Sequence, residues 1–128
     1  MPPEVIEGFQ LSPQQKHLWS LQQADGSLPY RAQCSILIEG TLDVQILGAA
    51  LQRVFERHEI LRTSFQSAPC ANAPIQVVSA ESMTRIDKYD LSDCDRARQE
   101  ESIDRLYREM GDLAFDLSKG PLIRMSLL

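Results

Sequence analysis

The sequence is poor in the residues from which most catalytic and metal sites are built. Its 128 residues include two histidines, three cysteines and one tryptophan. Neither the histidines nor the cysteines are paired at the spacing of metal ligands, and no glycine-rich phosphate loop is present. These absences exclude a zinc-finger type of site and a nucleotide-binding loop within the sequence, and no catalytic constellation can be assembled from its own residues.

The charge balance and the hydropathy pattern exclude two further classes of partner. The formal net charge is −5, which argues against nucleic acid because phosphate binding requires a positive surface. No apolar run is long enough to cross a bilayer, and the first ten residues lack the basic and apolar regions of a secretion signal. The odd number of cysteines predicts free thiols packed in the interior of a protein in the reducing cytoplasm (Cys34, Cys70, Cys94).

The length and patterning predict one folded unit of helices and strands. Ser12 is a good helix N-cap, Pro13 suits the first turn, and Gln15 completes a capping box, so Ser12 is interpreted as a cap rather than a nucleophile. Asp43 opens a second helix that we expect to end near Leu61. The third helix carries an apolar stripe and a charged, solvated face (Ile103, Leu106, Tyr107, Met110, Leu113, Ala114).

Alternating apolar and polar residues predict the strands. The alternation is clearest over 31–39, where Ile36 and Ile38 lie on the same face, and again over 122–128. Shorter strands are expected over 63–66, 75–79 and 85–89. The sequence stops within the last apolar strand, which we interpret as a chain that is cut or is completed by another chain.

Arg62 is the charged residue whose position requires an explanation. It follows the apolar end of the second helix and begins a strand, so it is expected to be partly buried and to need a carboxylate or carbonyl partner. Two interpretations remain open: a structural ion pair, or a pair that braces an active site. His17 and His58 are interpreted as packed or surface residues rather than as catalytic bases, and Trp19 as a core residue.

Three segments resemble the condensation domains of nonribosomal peptide synthetases. Residues 11–21, LSPQQKHLWSL, resemble the first core motif of that family, and 57–65, RHEILRTSF, resemble its second, RHExLRTxF. Residues 114–124, AFDLSKGPLIR, are similar to its FDLxxGPLxR segment. The family residues matched here are Ser12, Gln14, Gln15, Trp19, Arg57, His58, Glu59, Leu61, Arg62, Phe65, Phe115, Asp116, Gly120 and Pro121.

The resemblance implies an α/β (α+β layered) fold with a mixed sheet and flanking helices. Condensation domains have two lobes, each like a chloramphenicol acetyltransferase subunit, and this chain is expected to be the N-terminal lobe, incomplete at its C-terminus. Residues 1–8 are then a leader and 9–128 the N-terminal lobe, cut before the family's HHxxxDG motif. The order predicted from the residues, α-β-α-β-β-β-α-β, agrees with such a layered lobe.

The resemblance also implies a chemistry. Condensation domains join a carrier-bound acyl or peptidyl thioester to the amine of a carrier-bound aminoacyl thioester, both held on phosphopantetheine arms, in a tunnel between two lobes. The second histidine of HHxxxDG acts on the amine, and the aspartate of that motif pairs with the arginine that corresponds to Arg62. HHxxxDG is absent here and is expected just after Leu128, so no catalytic residue is assigned in this chain; Arg62 and His58 are assigned as active-site support.

Several further expectations follow from this resemblance. The chain by itself is expected to be inactive, to bind no metal or diffusible cofactor, and to need carrier domains and a C-terminal lobe as partners. It is expected to self-associate through 122–128, and if Met1 is the natural start, the donor carrier comes from a separate protein. The alternatives are a non-catalytic carrier-docking or half-domain interaction module, an epimerisation or heterocyclisation domain, and a carrier-dependent acyltransferase.

Overall fold

The computed structural model describes residues 8–24, 31–69, 71–80 and 85–128. Within these ranges the chain forms three helices, five short strands and one 3-10 turn. In chain order they are β1 (Phe9–Gln10), α1 (Pro13–Ala24), α2 (Val44–Arg57), a 3-10 turn (Glu59–Arg62), β2 (Thr63–Gln66), β3 (Ile75–Val78), β4 (Ile86–Lys88), α3 (Arg96–Asp112) and β5 (Met125–Leu127).

The strands form two small sheets. The first is antiparallel in the order β1-β3-β2, and the register places Thr63 opposite Val78. The second is a parallel pair, β4-β5, with Ile86 opposite Met125. The predicted fold class, helices combined with parallel and antiparallel strands, is confirmed. In the described part of the chain the antiparallel strands form one sheet and the parallel strands form the other.

Helix starts were predictable because the N-cap side chains act locally. The Ser12 hydroxyl accepts from the Gln15 amide at 3.2 Å, and the Ser12 amide donates to Gln15 Oε1 at 2.8 Å. This is the predicted capping box. Asp43 Oδ1 accepts from the amides of Gln45 and Ile46 at 2.9 and 3.0 Å, which confirms the second predicted cap.

The strand predicted over 31–39 is wrong. None of these residues is in a strand, and Ile36 and Leu37 are 78% and 83% exposed. Alternation shows only that a segment is able to form a strand. A ladder also needs a neighbouring strand, and none of the described strands pairs with this segment. Cys34 in the same segment is exposed rather than packed.

The second helix is shorter than predicted. It ends at Arg57 because His58 takes an extended conformation, with φ −112° and ψ 98°. The chain then makes the 3-10 turn before β2. Cys94 is half-buried, whereas Cys70 and the turn predicted at residues 25–26 lie outside the described residues.

The described residues bury little apolar surface. Leu11 and Phe55 are the large apolar side chains that reach the buried class, at 5% and 2% exposure. On the predicted stripe of α3, Ile103 and Tyr107 remain 41% and 40% exposed. The accessible surface of the chain is 10509 Å², against roughly 6,900 Å² for a compact monomer of this mass. Several apolar faces are therefore uncovered by the chain itself.

Candidate functional site

The three sequence motifs converge on one open, largely apolar cavity of about 480 Å³. The first motif contributes residues from the start and middle of α1, the second contributes the residues around the start of β2, and the third contributes the segment between α3 and β5. The lining residues that belong to the motifs are Leu11, Gln15, Leu18, Trp19, Ile60, Leu61, Phe65, Phe115, Leu117, Leu122, Ile123 and Arg124.

Two polar contacts hold the walls of this cavity together. The Phe65 amide in β2 donates to Leu117 O at 2.7 Å, which joins the second motif directly to the third. Gln15 on α1 exchanges side-chain amide hydrogen bonds with Gln76 on β3, at 3.3 and 3.2 Å. Gln76 also donates to Gln10 O at 2.9 Å, so one side chain ties α1 to both β1 and β3.

Arg62 follows the cavity-lining residue Leu61 at the end of the 3-10 turn, and its side chain is 19% exposed. Its Nη1 donates to Ser79 O at 2.6 Å, and Arg62 O accepts from the Ser79 amide at 2.9 Å. The nearest carboxylate among the described residues is Glu59 at 3.9 Å, and its side chain is 67% exposed. Arg62 Nε is buried and has no hydrogen-bond partner in the described part of the chain.

The environment of Arg62 is therefore that of an incompletely matched cation. One backbone carbonyl and one long, exposed carboxylate contact do not offset the burial of a guanidinium group, since a buried charge needs close pairing and filled hydrogen bonds. The Nε is the donor of this guanidinium group that is left without a partner among the described residues. The structure thus makes the local ion pair with Glu59 a weak one and leaves the guanidinium able to accept a second partner.

The charged and polar residues at the start of the second motif, Arg57, His58 and Glu59, do not line the cavity. Arg57 closes α2, His58 follows it as the C-cap, and both side chains are exposed. Glu59 is exposed as well. The exposed His58 is not brought beside any other candidate functional side chain, so its assignment as active-site support stays a prediction.

The polar residues of the first and third motifs mark turns and solvent-facing positions. Gln14 is exposed on α1, and Gly120 and Pro121 are exposed in the connection to β5. Asp116 is also exposed, and the Ser118 hydroxyl and amide, which donate to it at 2.6 and 3.0 Å, lower the pKa of its carboxyl group. These residues shape the backbone around Phe115 and Leu117 and do not enter the cavity.

Sequence reasoning missed two arginines and a glutamine that hold the site. Arg31 and Arg124 both donate to Leu113 O, at 2.7 and 2.8 Å, at the end of α3. Gln76 makes the contacts described above. The available signal was the lack of a basic residue in the last turn of α3, which predicts that distant donors satisfy its free carbonyl groups.

Two kinds of site are absent from the described ranges 8–24, 31–69, 71–80 and 85–128. They contain no cluster of three His, Cys, Asp or Glu side chains suited to holding a metal ion. None of their helices combines the length and apolar character that a membrane span requires.

Comparisons with known proteins match this arrangement along nearly the whole chain. The condensation-domain family matches residues 6–128. The chain is 34% identical over 119 residues to chondramide synthase cmdD of Chondromyces crocatus, which covers 92% of this chain and 3% of that protein. It is 31% identical over 125 residues to gramicidin S synthase 2 of Brevibacillus brevis, covering 96% of this chain and 3% of that protein.

Solved structures give the same result for the fold. The condensation domain from the Monacolin K polyketide synthase MokA superposes with a TM-score of 0.70 at 26% identity, covering 96% of this chain and 27% of that one. The starter condensation domain of rhizomide synthetase gives a TM-score of 0.72 at 20% identity, covering 94% and 28%. This chain thus spans about a quarter of those domains, and by sequence and fold it belongs to the condensation-domain family.

Proposed function

We propose that this chain supplies the N-terminal lobe of a condensation domain that forms an amide bond between a carrier-bound acyl or peptidyl thioester and a carrier-bound aminoacyl thioester. The observation that carries the proposal is the state of Arg62, whose side chain is 19% exposed and whose Nε is buried without a partner. In the matched second motif this arginine is the one expected to meet the aspartate of HHxxxDG. A carboxylate at that position would complete both the charge and the hydrogen bonds of the guanidinium group.

The role of this pair is to hold a loop that carries the reactive histidine. A guanidinium fork fixes a carboxylate in direction as well as distance, because it donates two parallel hydrogen bonds. Arg62 is itself held by two hydrogen bonds with Ser79, the residue directly after β3: its Nη1 donates to Ser79 O, and its carbonyl oxygen accepts from the Ser79 amide. The pair would therefore connect the loop to the antiparallel sheet, and the histidine would orient or deprotonate the attacking amine.

The chain by itself is proposed to be inactive, because its sequence does not contain HHxxxDG. Its partners are the donor and acceptor carrier domains and the C-terminal lobe of the condensation domain. The phosphopantetheine arms belong to the carriers, so the chain needs no cofactor of its own. Holding two tethered substrates in one tunnel is expected to supply a large part of the rate enhancement of such a domain. We propose that the reaction takes place in the cytoplasm.

The test is an amide-forming assay with two loaded carriers. The 128-residue chain is expected to give no product. The complete domain that contains it is expected to transfer the acyl group to the acceptor amine, which leaves the extended thioester on the acceptor carrier and a free thiol on the donor carrier. In the complete domain, Arg62→Met is expected to remove most of the activity, whereas Arg53→Met, at an exposed position on α2, keeps it. Product formed by the 128-residue chain, or full activity of the Arg62→Met domain, would contradict the proposal.

The same assay separates the alternatives. A non-catalytic docking module would retain carrier binding in the complete protein and give no amide. A heterocyclisation or epimerisation domain would give a ring or an inverted stereocentre in place of a simple amide, which mass spectrometry and chiral analysis of the hydrolysed product detect.

We further propose that the chain self-associates when it is separated from its other lobe. β5 pairs with β4 on one edge, and the structure describes no strand on its other edge. The exposed residues Ile36 and Leu37 add an uncovered apolar segment. Exposed strand edges and apolar segments pair with other chains, so two copies are expected to bury residues 122–128 between them.

A further inference from the structure

The C-terminal end of α3 is held by side chains from distant parts of the sequence. The last turn of α3 has no basic residue, although its terminal carbonyl groups lack partners within the helix. Arg31 Nη1 donates to Leu113 O at 2.7 Å and to Met110 O at 3.3 Å. Gln33 Nε2 donates to Tyr107 O at 2.7 Å. Residues 31–33 are therefore fastened to the helix end.

Arg124 reaches the same helix end from the other direction along the chain. Its Nη1 donates to Leu113 O at 2.8 Å and its Nη2 to Ala114 O at 2.6 Å. The guanidinium carbon lies 4.0 Å from the centroid of the Phe115 ring. Arg124 is the residue immediately before β5, so these three contacts fix the point at which that strand begins.

The two arginines use backbone carbonyls rather than carboxylates as partners. Among the described residues, no carboxylate oxygen lies within 4.0 Å of either guanidinium group. Asp116, which is close in sequence, accepts from Ser118 and pairs with Lys119 at 3.4 Å. Arg31 and Arg124 offset the negative end of the α3 dipole, as cations at a helix C-terminus do.

We propose that Arg124 is a positioning residue that acts together with Arg31 through the shared Leu113 carbonyl. The fork sets the start of β5 relative to α3 and thereby sets the path of whatever follows β5. That second part rests on the proposed function, in which HHxxxDG follows this strand. A lysine cannot replace the fork, because its single ammonium group does not reach two carbonyls and cover an aromatic face at once.

Amide hydrogen exchange in the full 128-residue chain tests the structural part without any activity assay. The reporter is the Tyr89 amide, which donates to Leu127 O at 2.9 Å and opens when β5 moves away from β4. Arg124→Lys is expected to speed its exchange about tenfold, since a charge-assisted hydrogen bond is lost. The amides of the β2-β3 ladder are expected to keep their wild-type rates.

The control variant is Arg108→Lys on α3, where the Arg108 side chain is exposed and bonds only within its own helix, Nε to Asp104 O at 3.2 Å. It is expected to leave Tyr89 unchanged. An unchanged Tyr89 rate in Arg124→Lys, equal acceleration in both sheets, or an unprotected Tyr89 amide in the wild type would overturn the proposal.

A second pair of variants tests the sharing of the Leu113 carbonyl. When Arg31 or Arg124 alone is replaced by glutamine, the other arginine still caps that oxygen. The double variant Arg31→Gln and Arg124→Gln is therefore expected to accelerate Tyr89 exchange by more than the product of the two single effects. Effects that simply multiply would show that the two arginines act independently.

Turnover in the complete domain tests the catalytic consequence. Arg124→Lys is expected to lower kcat about tenfold with little change in KM for the loaded carriers, because it misplaces reacting groups without touching substrate. A wild-type domain that forms amide together with an unaltered kcat in Arg124→Lys would refute the positioning role alone. A wild-type domain that forms no amide would refute the proposed function, while the exchange experiment still decides the structural part.

Discussion

Replacing Arg62 by methionine in the 128-residue chain is expected to leave its stability nearly unchanged. The variant loses the hydrogen bond that the charged guanidinium group donates to Ser79 O, which is worth about 1.5–3 kcal/mol. The variant also loses the 3.9 Å ion pair with the exposed carboxylate of Glu59, which is worth about 0–1 kcal/mol. Removing the buried Nε, which has no partner in the described residues, returns about 1–3 kcal/mol.

These terms largely offset one another, so the net change in the free energy of unfolding lies between a gain of about 1.5 and a loss of about 3 kcal/mol, with a central value below about 1 kcal/mol. Methionine keeps the apolar part of the arginine stem in place, and exposed Ser79 O regains water. In the complete domain the same substitution would break the buried ion pair proposed above, and it is expected to cost about 3–5 kcal/mol. The prediction is the difference between the two losses of stability: a small one in the 128-residue chain and a large one in the complete domain.

Urea unfolding measures both values. Trp19 is the single tryptophan of the chain and is half-buried against the cavity, so its fluorescence reports the folded state of the fragment. In the complete domain the same variant is followed by circular dichroism. Arg53→Met, at an exposed position, controls for the loss of one positive charge. A loss of more than about 3 kcal/mol in the fragment would show that Arg62 is already fully paired there, and the reasoning would fail.

Three further predictions concern the core, one turn and association. Phe55 is 2% exposed, so Phe55→Ala is expected to lower the free energy of unfolding by about 3–5 kcal/mol or to abolish the unfolding transition. Val54 is 44% exposed, and Val54→Ala is expected to lower it by well under about 1.5 kcal/mol. Equal effects of the two variants in urea titrations would contradict the packing. Ser118→Ala is expected to raise the pKa of Asp116 part of the way back to its ordinary value, because it removes the hydroxyl donor that lowers this pKa most and keeps the amide donor. The contribution of this carboxylate is present above its unfolded pKa and is lost as pH falls through the lower folded pKa. Carboxyl NMR titration measures the shift, and an unmoved Asp116 would refute it. Light scattering is expected to give a mass that rises with the concentration of the isolated chain, and less so for Leu37→Lys; a monomer at all concentrations would contradict self-association.

The parts of the fold that sequence predicted are those set by local contacts. The capping box of Ser12 and Gln15 forms within one turn, and Asp43 caps α2 in the same way. β2 and β3 were also predictable, because their residues pair with each other across a short connection. Residue types and spacing were sufficient in these places.

The wrong predictions depended on neighbours that the alternation of residues cannot reveal. Residues 31–39 have the pattern of a strand but no described partner, and the short β1 was missed because two residues carry no periodic signal. His58 was placed inside a helix by spacing, although its extended backbone ends α2. The spacing of apolar residues indicates which face of an element is buried. It does not show whether a neighbouring strand is present to pair with that element.

The site was predicted in part. The motifs identified the residues that line the cavity, and Arg62 was singled out as a partly buried cation, in agreement with its 19% exposure. The contacts of Arg31 and Gln76 were not predictable, because each joins residues that are far apart in sequence. Arg124 is closer in sequence to its acceptors, but the lack of a basic residue in the last turn of α3 does not identify which donor reaches those carbonyl groups.

A double-mutant cycle between Arg62 and the aspartate of HHxxxDG in the complete domain tests the central claim most directly. The two single variants, Arg62→Met and the aspartate replaced by asparagine, are compared with the double variant by urea unfolding. Direct pairing predicts a coupling free energy of about 2–3 kcal/mol. A coupling of zero within error would show that the guanidinium and that aspartate do not meet.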